Sequence, residues 1–285
     1  MSGYRFCRTD DIGLLVDALN RCWAPYFPDE PPMTPARFKR SIKDLQVWCS
    51  SCMVAFSGSD PIGVLIGAKR PSGTLVQKIA VHPDHVRQGH ARHLLASLGS
   101  KLAILGPPRI AAEVPETLTS ACALFSASGY VQEALLTDYR LESGHGEPEA
   151  IGDGRFVVPV TVDDLAANGL LGEARPQVCW ERSVETLTAR KDEIAGLAVA
   201  SDERIEAWLL YMERGDGAEI VSLCTFIEDG GARLTQLLAP LRARGLGTLR
   251  FPKVHPAEIS TELLATLGFR RSGARKLYEA MARST

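Results

Sequence analysis

The feature that most constrains this chain is a repeat: its last third echoes a stretch near its middle. Leu124-Phe125-Ser126-Ala127-Ser128-Gly129-Tyr130 is matched by Leu263-Leu264-Ala265-Thr266-Leu267-Gly268-Phe269, and ten residues separate Gly129 from Tyr139 just as ten separate Gly268 from Tyr278. An offset held at 139 over such a stretch points to two copies of one fold. The starts of the copies agree. Arg5-Phe6 opens a short strand and Thr9-Asp10-Asp11-Ile12 caps a helix; Arg155-Phe156 opens another strand and Thr161-Val162-Asp163-Asp164-Leu165 caps another helix. Between the copies, residues 143–154 hold four glycines and a proline without periodicity, the composition of a linker. The expected domains are therefore residues 1–143, a linker at 144–154, and residues 155–285, and 285 residues suffice for two.

Within the first copy, alternating apolar runs predict strands over 53–56, 62–69 and 74–81, with turns at 57–61 and 71–73. Apolar residues at 91, 94, 95, 98, 102 and 105 predict a helix that Gly106-Pro107-Pro108 stops. A strand over 109–114, a helix over 119–128 closed by Gly129, and a strand over 131–141 follow. The second copy repeats the order with strands at 197–200, 205–212 and 218–226, a helix at 234–241, a strand at 246–251, a helix at 261–267 and a last strand at 269–281. This is an α/β arrangement with a central sheet.

Composition removes several alternatives. Hydrophobic residues at 45% and charged residues at 23% exclude a disordered or fibrous chain. A net charge of −2 argues against a nucleic-acid partner. No apolar run reaches the roughly 18 residues of a membrane helix, and the N-terminal residues are polar and acidic, so a cytoplasmic protein with no membrane partner is expected. The seven cysteines are odd in number and scattered, which argues against a disulfide framework. Cys49 and Cys52 precede a strand rather than open a helix, and no second pair completes a zinc site.

The chemistry concentrates between Ile79 and Leu95. A strand ends at Val81, a short loop follows, and Gly89-His90-Ala91 opens the long helix. Amides at a helix N-terminus lack intrahelical acceptors, and the macrodipole adds partial positive charge. A small-residue turn lets the backbone approach an anion closely, and Arg87 and Arg92 add full charges. On physical grounds this is an anion site beside a strand end.

The segment Val86-Arg87-Gln88-Gly89-His90-Ala91 resembles motif A of the GNAT superfamily of N-acetyltransferases, Gln/Arg-x-x-Gly-x-Gly/Ala after a Val-His-Pro-like strand end. The order of elements from Tyr4 to Leu141 is similar to that family, and the second half resembles a degenerate copy, as in tandem-GNAT proteins. The resemblance implies two tandem domains, each a mixed, mostly antiparallel central sheet flanked by helices. It implies acetyl-CoA, or another acyl-CoA, as cofactor, and transfer of the acetyl group to a primary amine by direct attack. By position, the backbone of Ile79, Ala80 and Val81 would bond the pantetheine arm. The loop from Val86 through Arg87, Gln88, Gly89, His90 and Ala91, with Arg92 behind it, would hold the diphosphate, and Phe125 would lie near the thioester. This chain departs from the family at four places. Val86 replaces the usual Gln or Arg, Phe125 a tyrosine that protonates the leaving thiolate, Leu118 an asparagine, and Gln77 a glutamate base. An offset of 139 to 140 sets Glu228 or Asp229 opposite Gly89, so no cofactor is expected in the second copy, although Gly230-Gly231 could still turn the chain there.

Three further groups have both a functional and a structural reading. His82, His85, His90 and His93 cluster without a plausible metal shell, so His90 is either a diphosphate contact or, like the others, a surface histidine. Glu113, on the strand after the long helix, is either a general base or a wall carboxylate. Trp23, Tyr26 and Phe27 either line the acceptor pocket or pack beneath a proline-rich loop. The acceptor is a small-molecule or peptide amine, and homodimerisation is left open. A non-catalytic acetyl-CoA sensor is the competing function.

Overall fold

The computed structural model describes residues 2–142, 156–171 and 178–283, so the expected linker lies outside the described residues. The chain forms two compact units, Met1–Glu133 with Lys276–Thr285, and Ala134–Arg275.

In the first unit, β1 (Ser2–Phe6) leads into α1 (Ile12–Cys22) and α2 (Pro35–Leu45). Asp11, not Thr9, stands at the N-cap of α1. Its carboxylate accepts the Arg8 amide at 2.7 Å and pairs with Arg5 at 2.8 Å, so it braces the turn instead of the helix amides. Thr34 caps α2 by accepting the Arg37 amide, with Pro35 at the first helical position, where its missing N–H costs nothing. The strands β2 (Met53–Ser57), β3 (Asp60–Arg70) and β4 (Gly73–Val81) form an antiparallel meander beside β1. Next come α3 (His90–Leu105), β5 (Arg109–Pro115), α4 (Thr119–Ala127) and β6 (Val131–Glu142). The apolar face of α3 buries Leu94, Leu95, Leu98 and Leu102 against Met53, Ile62 and Leu65 of the sheet. At about 25 cal/mol per Å² of apolar area, this burial is a main term holding the helix to the sheet.

The second unit repeats the plan with β7 (Phe156–Pro159), α5 (Val162–Ala167), α6 (Val184–Ala189), β8 (Ala195–Ala200), β9 (Ile205–Arg214) and β10 (Gly217–Thr225). It closes with α7 (Ala232–Ala243), β11 (Thr248–Val254), α8 (Thr261–Thr266) and β12 (Arg270–Met281). Thr161 caps α5 in a full capping box with Asp164. Each unit is thus a mixed, mostly antiparallel sheet flanked by helices, one parallel pair standing among antiparallel ones.

The units divide differently from the sequence copies. From Ala134 onward β6 belongs to the second unit, where Leu141 and Arg140 pair antiparallel with Leu249 and Arg250. From Lys276 onward β12 belongs to the first, where the Ala282 amide donates to the Pro108 carbonyl and Glu279 pairs with Arg109. The two tyrosines at matching places in the repeat therefore serve opposite cores: Tyr278 stacks on Phe125 in the first unit, and Tyr139 packs with Leu141 and Phe251 in the second.

Candidate active site

The parallel pairing of β4 with β5 covers Thr74 with Ile110 and Leu75 with Ala111 and then stops. Beyond it, β4 carries a bulge, since Val76 faces Gly67 and Lys78 faces Ile66, with Gln77 left over. The diverging strands open a cavity of about 640 Å³. Ile79, Ala80 and Val81 of β4 line one side; Glu113 of β5 and Phe125 of α4 line the other; Trp23, Tyr26 and Phe27 close one flank.

The loop after β4 forms the remaining wall. The His82 amide donates to the Ile62 carbonyl, and one short turn, Pro83–His85, brings the chain to residues 86–89. Arg87 (φ +60°) and Gly89 (φ +88°) both take the left-handed conformation, which turns successive amides the same way. The first helical bond of α3 is His93 N–H to the Gly89 carbonyl at 3.0 Å. The amides of residues 87–92 have no acceptor among the described residues. A Cβ placed on Gly89 would meet nothing within 4 Å, so open space lies over the turn. Val86, Arg87, Gly89, His90, Ala91 and Arg92 reach the cavity; Gln88 does not.

His90 is the buried polar member of this wall. Its Nδ1 lies 2.6 Å from the Tyr4 hydroxyl, whereas its Nε2 is buried with no partner. Buried polar atoms are normally satisfied, so a lone one in a cavity wall marks a place for a ligand. His93 stacks on Tyr4 with ring centres 3.8 Å apart, and His82 Nδ1 caps its own turn through the Asp84 amide. These contacts give three of the four clustered histidines protein partners, and no group of metal-ligating residues forms among the described residues.

The aromatic flank is firmly set. Trp23 and Phe27 stack 4.3 Å apart at 18°. Lys78 Nζ sits 3.7 Å over the Trp23 ring and 3.3 Å from Glu30, which also accepts the Trp23 indole N–H at 3.1 Å. The Tyr26 hydroxyl donates to the Val81 carbonyl at 2.7 Å, and burial raises the phenol pKa. The sequence reading missed Lys78, which precedes the three backbone residues it singled out, and Ser120, which with Leu118 brings the start of α4 to the same wall. The only signal for Lys78 was that it is the one charged residue of its strand. Phe125 is buried between Tyr130 and Tyr278, which stacks on it, and burial pushes the Tyr130 phenol far up. Burial also raises the thiols of Cys22 to about 11 and Cys7 to about 12, so neither supplies a thiolate near neutrality.

The second unit has the same turn in a closed form. The counterpart of Gly89 is Gly231 (φ +91°), at the N-cap of α7, so the offset here is 142 (231 − 89) and Glu228 and Asp229 lie before the turn. The offset of 139 to 140 failed because the helix after the turn is shorter: Arg109, which opens β5, lies 20 positions after Gly89, but Thr248, which opens β11, lies 17 after Gly231. Asp229 accepts the amides of Gly231 and Arg233 at 3.0 and 3.1 Å and the Arg233 guanidinium at 2.6 Å. Glu206 holds the same guanidinium at 2.7 Å. Burial alone would raise the Asp229 pKa, but these hydrogen bonds outweigh it and the net shift is downward. A Cβ on Gly231 would lie 2.9 Å from Leu263 Cδ1. β10 and β11 also part after two pairs, and the turn Trp180–Arg182 packs against β10 while Arg182 donates to the Lys253 carbonyl and to Glu258.

Residues 15–130 match the profile of the Acetyltransferase (GNAT) family. No curated protein matches the sequence closely enough to count as a relative. Among solved structures, the chain is similar over its whole length to a tandem GNAT protein from the clavulanic acid biosynthesis pathway, itself wholly covered, at 18% identity and a TM-score of 0.68. Over 99% of its length it is similar to a GCN5-related N-acetyltransferase from Sphaerobacter thermophilus, 96% of which is covered, at 15% identity and a TM-score of 0.69. A GCN5-related N-acetyltransferase from Anabaena variabilis gives 11% identity and a TM-score of 0.67, with 99% of this chain and 73% of that one covered. These likenesses extend the tandem fold across both units.

Proposed function

Since residues 15–130 are a GNAT acetyltransferase domain within a tandem fold, we propose that the protein transfers an acyl group from acetyl-CoA to a primary amine in its first unit alone. The observation that carries the reading is the contrast between two left-handed glycine turns, one facing open space and one covered by Asp229. The first fits a diphosphate: amides of residues 87–92 without acceptors, a buried unpartnered nitrogen on His90, and the charges of Arg87 and Arg92. The backbone of residues 79–81, past the end of the β4–β5 pairing, would bond the pantetheine arm as an added strand does.

Bound acetyl-CoA supplies the activated carbonyl and the thiolate leaving group. Strand amides beside the bulge at Gln77 polarise that carbonyl, and the rigid flank holds the amine in line with it. Glu113 receives the proton of the attacking amine. No cysteine needs to act as a nucleophile, in keeping with the raised thiols. Calorimetric titration with acetyl-CoA tests the cofactor part, with one site per chain expected and two equivalent sites contradicting it. Thiol release in the presence of amines tests the transfer. Glu113→Gln should lower kcat about 10²-fold or more, with acetyl-CoA affinity kept.

A further inference from the structure

We infer that Lys78 is itself an acyl acceptor: held on the cavity wall, its side-chain amine takes the acetyl group of bound acetyl-CoA and becomes acetyl-lysine. The inference rests on the acyl-transfer reading and assigns a modification site to that same cavity.

The aromatic flank already carries an amine of the chain's own. Trp23 and Phe27 stack on each other, and Lys78 Nζ lies 3.7 Å over the Trp23 ring and 3.3 Å from Glu30 Oε2. The same carboxylate accepts the Trp23 indole N–H, so ring, carboxylate and amine form one unit. The Lys78 side chain is 18% exposed, so most of it lies within the wall. Among the described residues it is the one primary amine that lines the cavity. The other cations there, Arg87 and Arg92, carry guanidinium groups, which are not nucleophiles near neutrality.

The strand brings that amine to the acyl end of the donor. The His82 amide donates to the Ile62 carbonyl of β3, and alternation along β4 turns the amides of Ile79 and Val81 the other way, towards the cavity. A donor with its diphosphate on the turn at residues 87–91 and its arm along Val81 and Ile79 ends at the bulge, where Gln77 is left over and Lys78 follows. The acyl carbon and the Lys78 amine thus share one end of one strand, and a flexible four-carbon stem spans what remains. Holding both on one chain replaces a bimolecular encounter by an intramolecular one.

The step balances with the groups named. Glu30 takes one proton from the ammonium, and the neutral Nζ attacks the thioester carbonyl carbon. The C–N bond forms, the C–S bond breaks, and the second proton leaving the nitrogen goes to the thiolate, which departs as CoA thiol. Because the ring and the carboxylate both favour the charged amine, the reaction is slow and ends after one event per chain. Its product has lost the cation that covered Trp23.

The test incubates the full chain with saturating acetyl-CoA and no added amine, removes the cofactor, and reads the intact mass and a peptide map. One acetyl group on Lys78 is expected. Its rate constant should be independent of protein concentration and at least about 100-fold above that of Lys78 in the urea-unfolded chain. Desulfo-CoA, which fills the site without an acyl group, should suppress the modification, and Lys78→Arg, which keeps a cation beside the ring, should gain no acetyl group. An unmodified Lys78 in a chain that binds acetyl-CoA by calorimetry overturns the inference. So do a folded chain no faster than the unfolded one, insensitivity to desulfo-CoA, and acetyl groups scattered over surface lysines. Thiol release with added amines judges the parent reading separately: turnover with Lys78 bare leaves that reading standing alone, and acetylated Lys78 without turnover leaves the inference standing while transfer to a free amine fails. If acetyl-CoA does not bind, both fall.

Discussion

The two units enter their long helices through the same backbone device and put it to opposite use. In the first, Gly89 at φ +88° leaves amides facing space; in the second, Gly231 at φ +91° faces Leu263 and Leu267, and the Asp229 carboxylate already sits on the amides that a ligand would need. A carboxylate on a helix N-terminus satisfies the same dipole and donors that a phosphate would. The second unit has therefore kept the geometry of an anion site while supplying its own anion. Arg182 extends the parallel, since it donates to the Lys253 carbonyl of β11 beyond the last pair with β10, and in the first unit the strands that part line a cavity. The two turns thus differ in what covers them and not in their backbone. In the second unit a side chain of the chain itself satisfies the amides at the turn.

Gly89→Glu should break the contrast most sharply. The new carboxylate would enter the open turn, as Asp229 does in the second unit, and acetyl-CoA affinity should fall about 10³-fold or more, over 4 kcal/mol. Calorimetry reads this directly, and a far-ultraviolet spectrum like wild type would show that the fold persists. Tight binding by this variant would mean that the turn does not hold the diphosphate.

Tyr278→Ala addresses the exchanged strands. Tyr278 is 2% exposed and stacks on Phe125, so truncation should cost about 3–5 kcal/mol, the range for a buried aromatic. If β12 completes the first unit, acetyl-CoA should protect this variant against heat less than it protects wild type, whereas Tyr139→Ala should leave that protection intact. Equal loss of protection in both would show that the tyrosines do not serve separate cores.

Much of this was legible beforehand because local rules decide it. The apolar spacing of residues 94, 95, 98 and 102 set the face of α3, Thr161 caps where its chemistry says it should, and Gly89 marks the turn into the helix. Of the fifteen site residues singled out, fourteen reach the cavity wall and Gln88 does not. The exchange of β6 and β12 was not legible, since two strands of similar pattern carry no local sign of which neighbour each joins. The place of Gly231 was missed for another reason: a constant offset read from the end of the repeat cannot survive a shorter helix between the turn and the next strand. The partnership of Lys78 with Glu30 joins groups 48 residues apart, and nothing in either segment announces it.

Arg233→Met examines the closed turn from its cationic side. The guanidinium is nearly buried between Glu206 and Asp229, and removing it leaves two carboxylates facing each other. A loss of about 3 kcal/mol of stability is expected, at the lower end for a broken buried pair because both acids retain some solvent. Acetyl-CoA affinity should not move. A denaturation curve shifted by less than about 0.5 kcal/mol would show that the network adds little, as surface pairs do.

The smallest expected effect is that of Asp229→Asn, and it separates the two ways the second turn is closed. The Asp229 pKa is held below its ordinary value, so its carboxylate contributes stability that is fully present above the unfolded value near 4 and is lost as pH falls through the folded value. Asparagine keeps an acceptor for one amide but removes the charge that Arg233 and the helix dipole favour. The variant should be less stable than wild type by about 1 kcal/mol at pH 7, with the two stabilities converging below about pH 4. A gap that stays constant down to pH 3 would mean that the carboxylate acts by shape and not by charge. Acetyl-CoA stoichiometry should stay at one per chain, because Leu263 and Leu267 still occupy the space over Gly231. A second site appearing in Asp229→Asn would show instead that the single carboxylate was the whole plug, and that the leucines yield once a phosphate can take its place.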